Sequence, residues 1–174
     1  QAAQKKVISI NENNVDYKLG VIEIPSFYVD FDAKRNGDPD FRSTTRDVAK
    51  ILGELKKEKV DGVIIDLRNN GGGALDEAVE LTGLFIKDGP VVQVRQSNGS
   101  ITVEKDPDPA IIYDGPLAVV INRYSASASE IFSGAIQDYG RGIVLGEQSY
   151  GKGTVQNLIG LERFVPSAGD QSGQ

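Results

Sequence analysis

The chain has 174 residues, a length that favours one domain with a real hydrophobic core, and it carries a formal net charge of −6. That acidic balance argues against nucleic acid or an anionic membrane as the main partner, and no apolar run is long enough to span a bilayer. Histidine and cysteine are both absent, which excludes a Ser-His-Asp triad, a Cys-His pair and the usual zinc sites within this chain.

Strand and helix patterns alternate along the chain. Val48, Ile51, Leu52 and Leu55 form one apolar face of a helix, and 117–121 is a continuous apolar run typical of a buried strand. Charges and turn signals predict an exposed loop at 30–40, and the tail at 163–174 is polar with no assigned element. The predicted strands are 7–10, 20–24, 60–67, 91–95, 101–104, 117–121 and 142–146, with 157–161 also extended, and the predicted helices are 44–57, 74–85 and 128–139.

This alternation predicts an α/β fold with a mostly parallel sheet, right-handed crossovers and helices beside the sheet. In such sheets the chemistry collects where the carboxyl ends of the strands meet. Two strand ends lead into unusual loops, 69–73 and 122–129, and Lys152 follows a third strand. These three segments are the candidates for a functional site.

The loop at 122–129 holds three serines where a strand turns into a helix. A serine there lies beside outward-pointing helix N–H groups, which suits a nucleophile next to an oxyanion site. Ser127 and Glu130 also match a capping box, in which Ser127 only satisfies the N-terminus of the helix. The turn by itself leaves both interpretations open.

A serine nucleophile needs a base, and without histidine the natural candidate is a lysine whose charged form is disfavoured by burial. Lys152 stands between Gly151 and Gly153, just past an apolar strand, whereas lysines such as Lys56 and Lys57 lie on a solvated helix face. An exposed turn is the competing interpretation of a lysine in such a glycine-rich loop.

The triple glycine at 71–73 follows a strand and precedes a helix. It is either a flexible turn or a place where backbone N–H groups are open to an anion. In the second interpretation a glycine N–H completes an oxyanion hole together with the N–H of Ala128, the residue after the proposed nucleophile.

A phosphate-binding loop is a rival interpretation of 146–152, which has the spacing G-x-x-x-x-G-K. Such a loop needs serine or threonine after the lysine to hold magnesium, and here the next residue is Gly153. It also needs a following helix, whereas 154–159 is typical of a strand. Both mismatches argue against this alternative.

Three stretches closely resemble the carboxyl-terminal processing (tail-specific) proteases of peptidase family S41. They are IIDLRNNGGG at 64–73, SASASEI at 125–131 and GKGTVQ at 151–156. The phrases LFI at 84–86, VVQVR at 91–95 and IQDYG at 136–140 resemble especially the bacterial periplasmic branch of that family. The likeness covers about 20–156, with the motifs in the family's order.

The resemblance implies a core that is crotonase-like or Clp-protease-like, and a Ser/Lys endopeptidase that cuts proteins near nonpolar C-termini. By motif match Ser127 is the nucleophile and Lys152 the general base, and Gln156 matches a glutamine that positions the lysine. In an extended segment Lys152 and Gln156 share a face, which suits that role. No metal or organic cofactor is implied.

The remaining site residues follow from the same resemblance. The N–H groups of Ala128 and of a glycine in the triple-glycine turn, with Gly72 and Gly73 as the candidates, would stabilise the oxyanion. Asp138 matches an aspartate regarded as functional in the periplasmic branch, but eleven helical residues separate it from Ser127 by about 16 Å. A structural role for Asp138 is therefore an equal alternative.

The family also sets expectations about the whole chain. Residues 1–174 are predicted to form one protease core without the PDZ domain that usually precedes it and without the final strands. The resemblance implies a periplasmic or otherwise exported location, protein substrates and no nucleic-acid partner. A non-catalytic scaffold or substrate-binding module that keeps the fold is the competing class.

Overall fold

The computed structural model describes residues 2–156, and within them a five-stranded sheet carries the fold. Its strands lie in the order β1-β2-β3-β6-β7, where β1 and β2 form an antiparallel hairpin and every other neighbouring pair is parallel. The predicted α/β class with a mostly parallel sheet is confirmed. The strands are β1 (Gln4–Glu12), β2 (Val15–Glu23), β3 (Gly62–Asp66), β4 (Val92–Arg95), β5 (Ile101–Glu104), β6 (Leu117–Ile121) and β7 (Ile143–Gly146).

Within the part of the chain that the structure describes, four helices connect these strands: α1 (Phe31–Arg35), α2 (Thr44–Lys57), α3 (Leu75–Gly83) and α4 (Ala128–Asp138). The parallel strands follow one another across the sheet in chain order, so right-handed crossovers bring α2, α3 and α4 to the same face. No helix between residues 2 and 156 combines the length and apolar character needed to cross a membrane.

The core lies between that face of the sheet and the helices. Side chains alternate between the faces of a strand, so Ile22 of β2, Ile65 of β3 and Val119 of β6 point towards the helices, and all three are 0% exposed. Helical partners in the same buried cluster include Leu55 and Phe132. This packing fixes the strand ends that hold the site.

The opposite face of the sheet is also apolar. Val21, Ile64 and Ala118 are paired neighbours across three strands and share that face, and none belongs to the buried core. In β7 the same face ends in Ile143 and Leu145, both exposed. Among residues 2–156, no helix packs on this side.

In the N-terminal third, one predicted strand is confirmed but is longer than expected, and the prediction of a loop was wrong. The strand predicted at 7–10 is β1, nine residues long, because Asn13 and Asn14 adopt positive φ values of 52° and 63° and close a tight hairpin. Residues 30–40 were predicted as loop, but α1 forms there because the Asp30 side chain caps the N–H of Ala33.

The other element types were predicted correctly. The strand predicted at 20–24 is β2, which begins five residues earlier, and the remaining elements have ends that differ by no more than two residues. The separate two-stranded sheet of β4 and β5 is the predicted hairpin at 91–104. The extended segment predicted at 157–161 and the polar tail at 163–174 lie outside the described residues.

Candidate active site

A cleft of about 920 Å³ opens at the edge where the carboxyl ends of the parallel strands meet. It brings together segments that follow four different strands, as expected for this class of sheet. The segments are residues 27–29 after β2, the glycine turn after β3, the start of α4 after β6, and residues 152–156 after β7. Ser127, Lys152 and Gln156 therefore border one cavity, as do Gly73 and Ala128.

Ser127 occupies a strained position at the N-terminus of α4. Its φ of 57° and ψ of −114° are unusual for a residue with a side chain. Ser127 and Glu130 form the predicted capping box: the Glu130 carboxylate accepts a 2.8 Å hydrogen bond from the Ser127 N–H, and the Ser127 side chain faces the backbone N–H of Glu130. The Ser127 hydroxyl makes no capping hydrogen bond of ordinary geometry, so it is available to the cleft.

The two neighbouring serines have structural partners instead. Ser125 and Ser129 are both 0% exposed. The Ser125 hydroxyl donates to the carbonyl of Leu67 at 2.8 Å, and the Ser129 hydroxyl donates to the carbonyl of Asn70 at 2.9 Å. Of the three serines in the turn, only Ser127 lines the cleft.

Glu130 joins the serine turn to the lysine loop. Besides Ser127, its carboxylate accepts hydrogen bonds from the backbone N–H groups of Gly151 at 2.6 Å and Lys152 at 2.9 Å, and from the Ser149 hydroxyl at 2.7 Å. Burial raises the pKa of Glu130, but these four hydrogen bonds to the ionised form outweigh it and hold the pKa below its usual value. The ionised Glu130 carboxylate therefore links the serine turn to the lysine loop through hydrogen bonds.

The side chains of Lys152 and Gln156 are exposed at the cleft. Residues 151–156 are neither helix nor strand, so the helix that a phosphate-binding loop requires does not follow Lys152. The burial expected for a lysine base is not provided by residues 2–156.

The two glycines that the sequence offered as oxyanion donors have different surroundings in the structure. Gly72 is buried, and its N–H donates to the Asn70 side-chain oxygen at 2.9 Å. Gly73 is exposed and pairs with Phe27 as a parallel bridge, in which the Phe27 N–H and C=O bond the residues on either side of Gly73. The N–H of Gly73 therefore faces away from Phe27, and within residues 2–156 neither it nor the Ala128 N–H has a hydrogen-bond acceptor.

Only glycine fits at these two positions. Gly72 has a φ of 102°, and a Cβ there would come within 2.8 Å of both the Ala126 carbonyl and the Ser127 Cβ. Gly73 has a φ of 148°, and a Cβ would overlap the Phe27 backbone. The glycine turn can thus lie directly against the serine turn.

Asp138 is not part of this assembly. It is the last residue of α4, at the opposite end of the helix from Ser127, and it is exposed. It does not line the cleft. A catalytic role for Asp138 stays a prediction that the described geometry does not support.

Two residues that hold the site together were not predicted as site residues. Glu130 was considered only as a helix cap, and Asn70 was not singled out although it lies in the loop after β3. The signal for Glu130 was its place three residues after the serine. Asn70 offered none, because its role depends on segments distant in sequence.

Comparisons with known proteins show which family the chain resembles. Residues 18–170 match the model of peptidase family S41. The chain is 50% identical over 161 residues to the tail-specific protease of Haemophilus influenzae, which covers 92% of the chain and 21% of that protein. It is 39% identical over 115 residues to the carboxy-terminal-processing protease of Bartonella bacilliformis, covering 66% of the chain and 26% of that protein.

A solved structure gives the same result at the level of the fold. The photosystem II D1 C-terminal processing protease superposes with a TM-score of 0.70 and 28% sequence identity, over 90% of this chain and 39% of that chain. The chain thus spans about a fifth to a quarter of the curated relatives named above.

Proposed function

The chain belongs to peptidase family S41, a family of serine-type peptidases that act on proteins, and we propose that it is an endopeptidase with a Ser127/Lys152 dyad. The observation that carries this proposal is that Ser127 and Lys152 border one cleft while the hydroxyls of Ser125 and Ser129 are committed elsewhere.

The proposed reaction is acyl transfer through a serine ester. The neutral Lys152 amine takes the Ser127 proton as Oγ bonds to the substrate carbonyl carbon. The oxyanion is stabilised by the N–H groups of Ala128 and Gly73, and Gly72 is excluded as a donor because its N–H is already bonded to Asn70. The C–N bond then breaks, the leaving amine takes the proton from Lys152, and water hydrolyses the ester with Lys152 as base.

Substrate binding supplies the desolvation that Lys152 needs in this mechanism. The Lys152 side chain is exposed in the cleft, and an apolar peptide laid over it removes water from the amine and favours the neutral form. Gln156 borders the same cleft four residues later, and in this proposal its side chain holds the Lys152 amine towards Ser127.

The substrate class is a protein tail with nonpolar residues. Phe27, Phe31, Leu75 and Ile131 contribute apolar side chains to the cleft, and these favour apolar substrate residues. We also propose an exported, periplasmic location, which is supported only by the resemblance to the periplasmic branch of the family.

The test is cleavage of an unstructured protein that ends in nonpolar residues, compared with the same protein ending in aspartates. We expect cleavage of the first by the parent chain, and loss of cleavage in both Ser127→Ala and Lys152→Ala. Ser129→Ala and Lys59→Ala are the matched controls and should remain active. Activity that survives Ser127→Ala contradicts the dyad, whereas binding of the tail without cleavage by the parent favours the substrate-binding alternative.

A further inference from the structure

Asn70 is a buried polar residue at the centre of the site. It is 0% exposed. Its side-chain amide donates to the carbonyl of Ile24 at 2.8 Å, and its side-chain oxygen accepts from the N–H of Gly72 at 2.9 Å. Its backbone N–H donates to the carbonyl of Leu67 at 3.1 Å. The side chain thus connects the end of β2 to the glycine turn that follows β3.

The backbone carbonyl of Asn70 connects the same residue to the serine turn. It accepts hydrogen bonds from the N–H of Ala126 at 3.0 Å and from the hydroxyl of Ser129 at 2.9 Å. These partners flank Ser127 and Ala128. One buried residue therefore holds the two turns that carry the candidate oxyanion donors.

This arrangement decides which glycine N–H is available. The Asn70 side-chain oxygen binds the Gly72 N–H inside the protein, and the next N–H in the turn, that of Gly73, is left facing away from Phe27. Apart from the isolated bridge between Gly73 and Phe27, the turn has no regular secondary structure to fix its orientation. Without the Asn70 side chain, the Gly72 N–H and the Ile24 carbonyl would lose their partners in a buried place.

We propose that Asn70 is a positioning residue that sets the placement of the Gly73 and Ala128 N–H groups around the oxyanion. This inference rests on the proposed acyl-transfer function of the cleft. Asparagine suits the position because it donates and accepts at once without a charge. Loss of the Asn70 side chain should weaken stabilisation of the charged tetrahedral state more than binding of the substrate, because the tetrahedral state depends more strongly on aligned N–H donors.

The experiment compares two ligands that differ in one group. The first is a nonpolar peptide ending in a boronic acid, whose boron bonds to Ser127 Oγ and forms a tetrahedral anion. The second is the same peptide ending in a carboxamide, which binds without that bond. We expect Asn70→Ala to weaken boronate binding on the order of 100-fold and to change carboxamide binding less than about threefold.

Thr82→Ala is the matched control, because it removes one buried side-chain hydrogen bond, to the carbonyl of Ala78 in α3, and leaves the contacts of Asn70 intact. We expect both affinities of Thr82→Ala to stay within about threefold of the parent. Equal loss of both ligands in Asn70→Ala, or loss of neither, overturns the positioning role. Failure of the parent to bind the boronate more tightly than the carboxamide would instead overturn the proposed function itself.

A measurement on the parent chain covers the case in which Asn70→Ala does not fold. The structure predicts that the buried Gly72 amide exchanges its hydrogen slowly and the Gly73 amide rapidly. Boronate binding should then protect Gly73 and Ala128 and leave Gly72 unchanged. Protection that appears at Gly72 while Gly73 stays open would contradict the assignment.

Discussion

One carboxylate oxygen of Glu130 accepts the backbone N–H of Lys152 at 2.9 Å, and the same oxygen accepts the backbone N–H of Ser127 at 2.8 Å. The proposed nucleophile and the proposed base are therefore tied through one side chain, although 25 positions separate them in the sequence. Glu130 binds the backbone N–H groups of the two residues and leaves both of their side chains available for chemistry.

Glu130→Gln should lower kcat on the order of 100-fold, because an amide nitrogen cannot accept from the two donors, the Ser149 hydroxyl and the Gly151 N–H, that the second carboxylate oxygen now binds. Small displacements of reacting groups carry large rate losses. Binding of the peptide carboxamide should change little. Glu147→Gln is the control, since Glu147 lies nearby but pairs with Arg123 on the exposed surface. Steady-state kinetics and ligand titration check both values, and an unchanged kcat would remove Glu130 from the machinery.

The pKa of Glu130 also predicts a pH dependence of stability. Its pKa is below the usual value, so its contribution is fully present above the unfolded-state pKa and is lost as pH falls through the lower folded-state pKa. The difference in unfolding free energy between the parent and Glu130→Gln should shrink on acidification. Urea denaturation at several pH values from about 7 down to about 3 measures this difference.

Glu77 should show the opposite dependence. It is 0% exposed, and burial raises its pKa although Ser43 and Thr45 donate to one of its oxygens, while the other oxygen has no partner among the described residues. An acid with a raised pKa loses stability as pH rises from its unfolded-state pKa through its folded-state pKa. Glu77→Gln should therefore gain stability relative to the parent over that rise in pH. A difference that is flat with pH would contradict this.

Alanine substitutions at the three glycines of the turn should differ in their effects on stability and cleavage. Gly72→Ala and Gly73→Ala should each destabilise the protein by at least about 2 kcal/mol and abolish cleavage, because both combine positive φ with backbone in the way of a Cβ. Gly71→Ala has nothing within 4 Å of the new Cβ and should stay near the parent. Thermal unfolding and cleavage assays on the three variants test the contrast.

The strained backbone of Ser127 is predicted to lower the stability of the protein, while the serine side chain is needed for cleavage. Ser127→Gly should raise the unfolding free energy by about 1 kcal/mol, because glycine adopts a φ of 57° and ψ of −114° with less strain, and it should abolish cleavage. Ser127→Ala should abolish cleavage without that gain. Equal stabilities of the two variants would show that the turn is not strained at this residue.

The sequence predicted the features that depend on local residue patterns or on the absence of one residue type. Runs such as 117–121 and the face of Val48, Ile51 and Leu55 predicted strands and helices because burial periodicity is local. The absence of histidine directed attention to Lys152. The long β1–β2 hairpin was missed because its turn is Asn13-Asn14 rather than a more familiar glycine pair.

What the sequence could not provide depends on contacts between distant segments. The proposal of Gly73 rather than Gly72 as an oxyanion donor rests on the hydrogen bond between the Gly72 N–H and the Asn70 side chain. The Ser129 hydroxyl is bonded to a carbonyl 59 positions away. The expectation of a buried lysine came from chemistry alone, and the described residues leave Lys152 open. Local patterns carry no information on such partners.

The apolar face of the sheet that no described helix covers has a consequence for any purified sample. Association through Ile143, Leu145 and their neighbours would remove apolar surface from water, so mass action would couple folding to protein concentration. The melting temperature should then rise with concentration, and a double change of Ile143 and Leu145 to lysine should abolish that rise. For this chain, a stability quoted without a concentration would be incomplete.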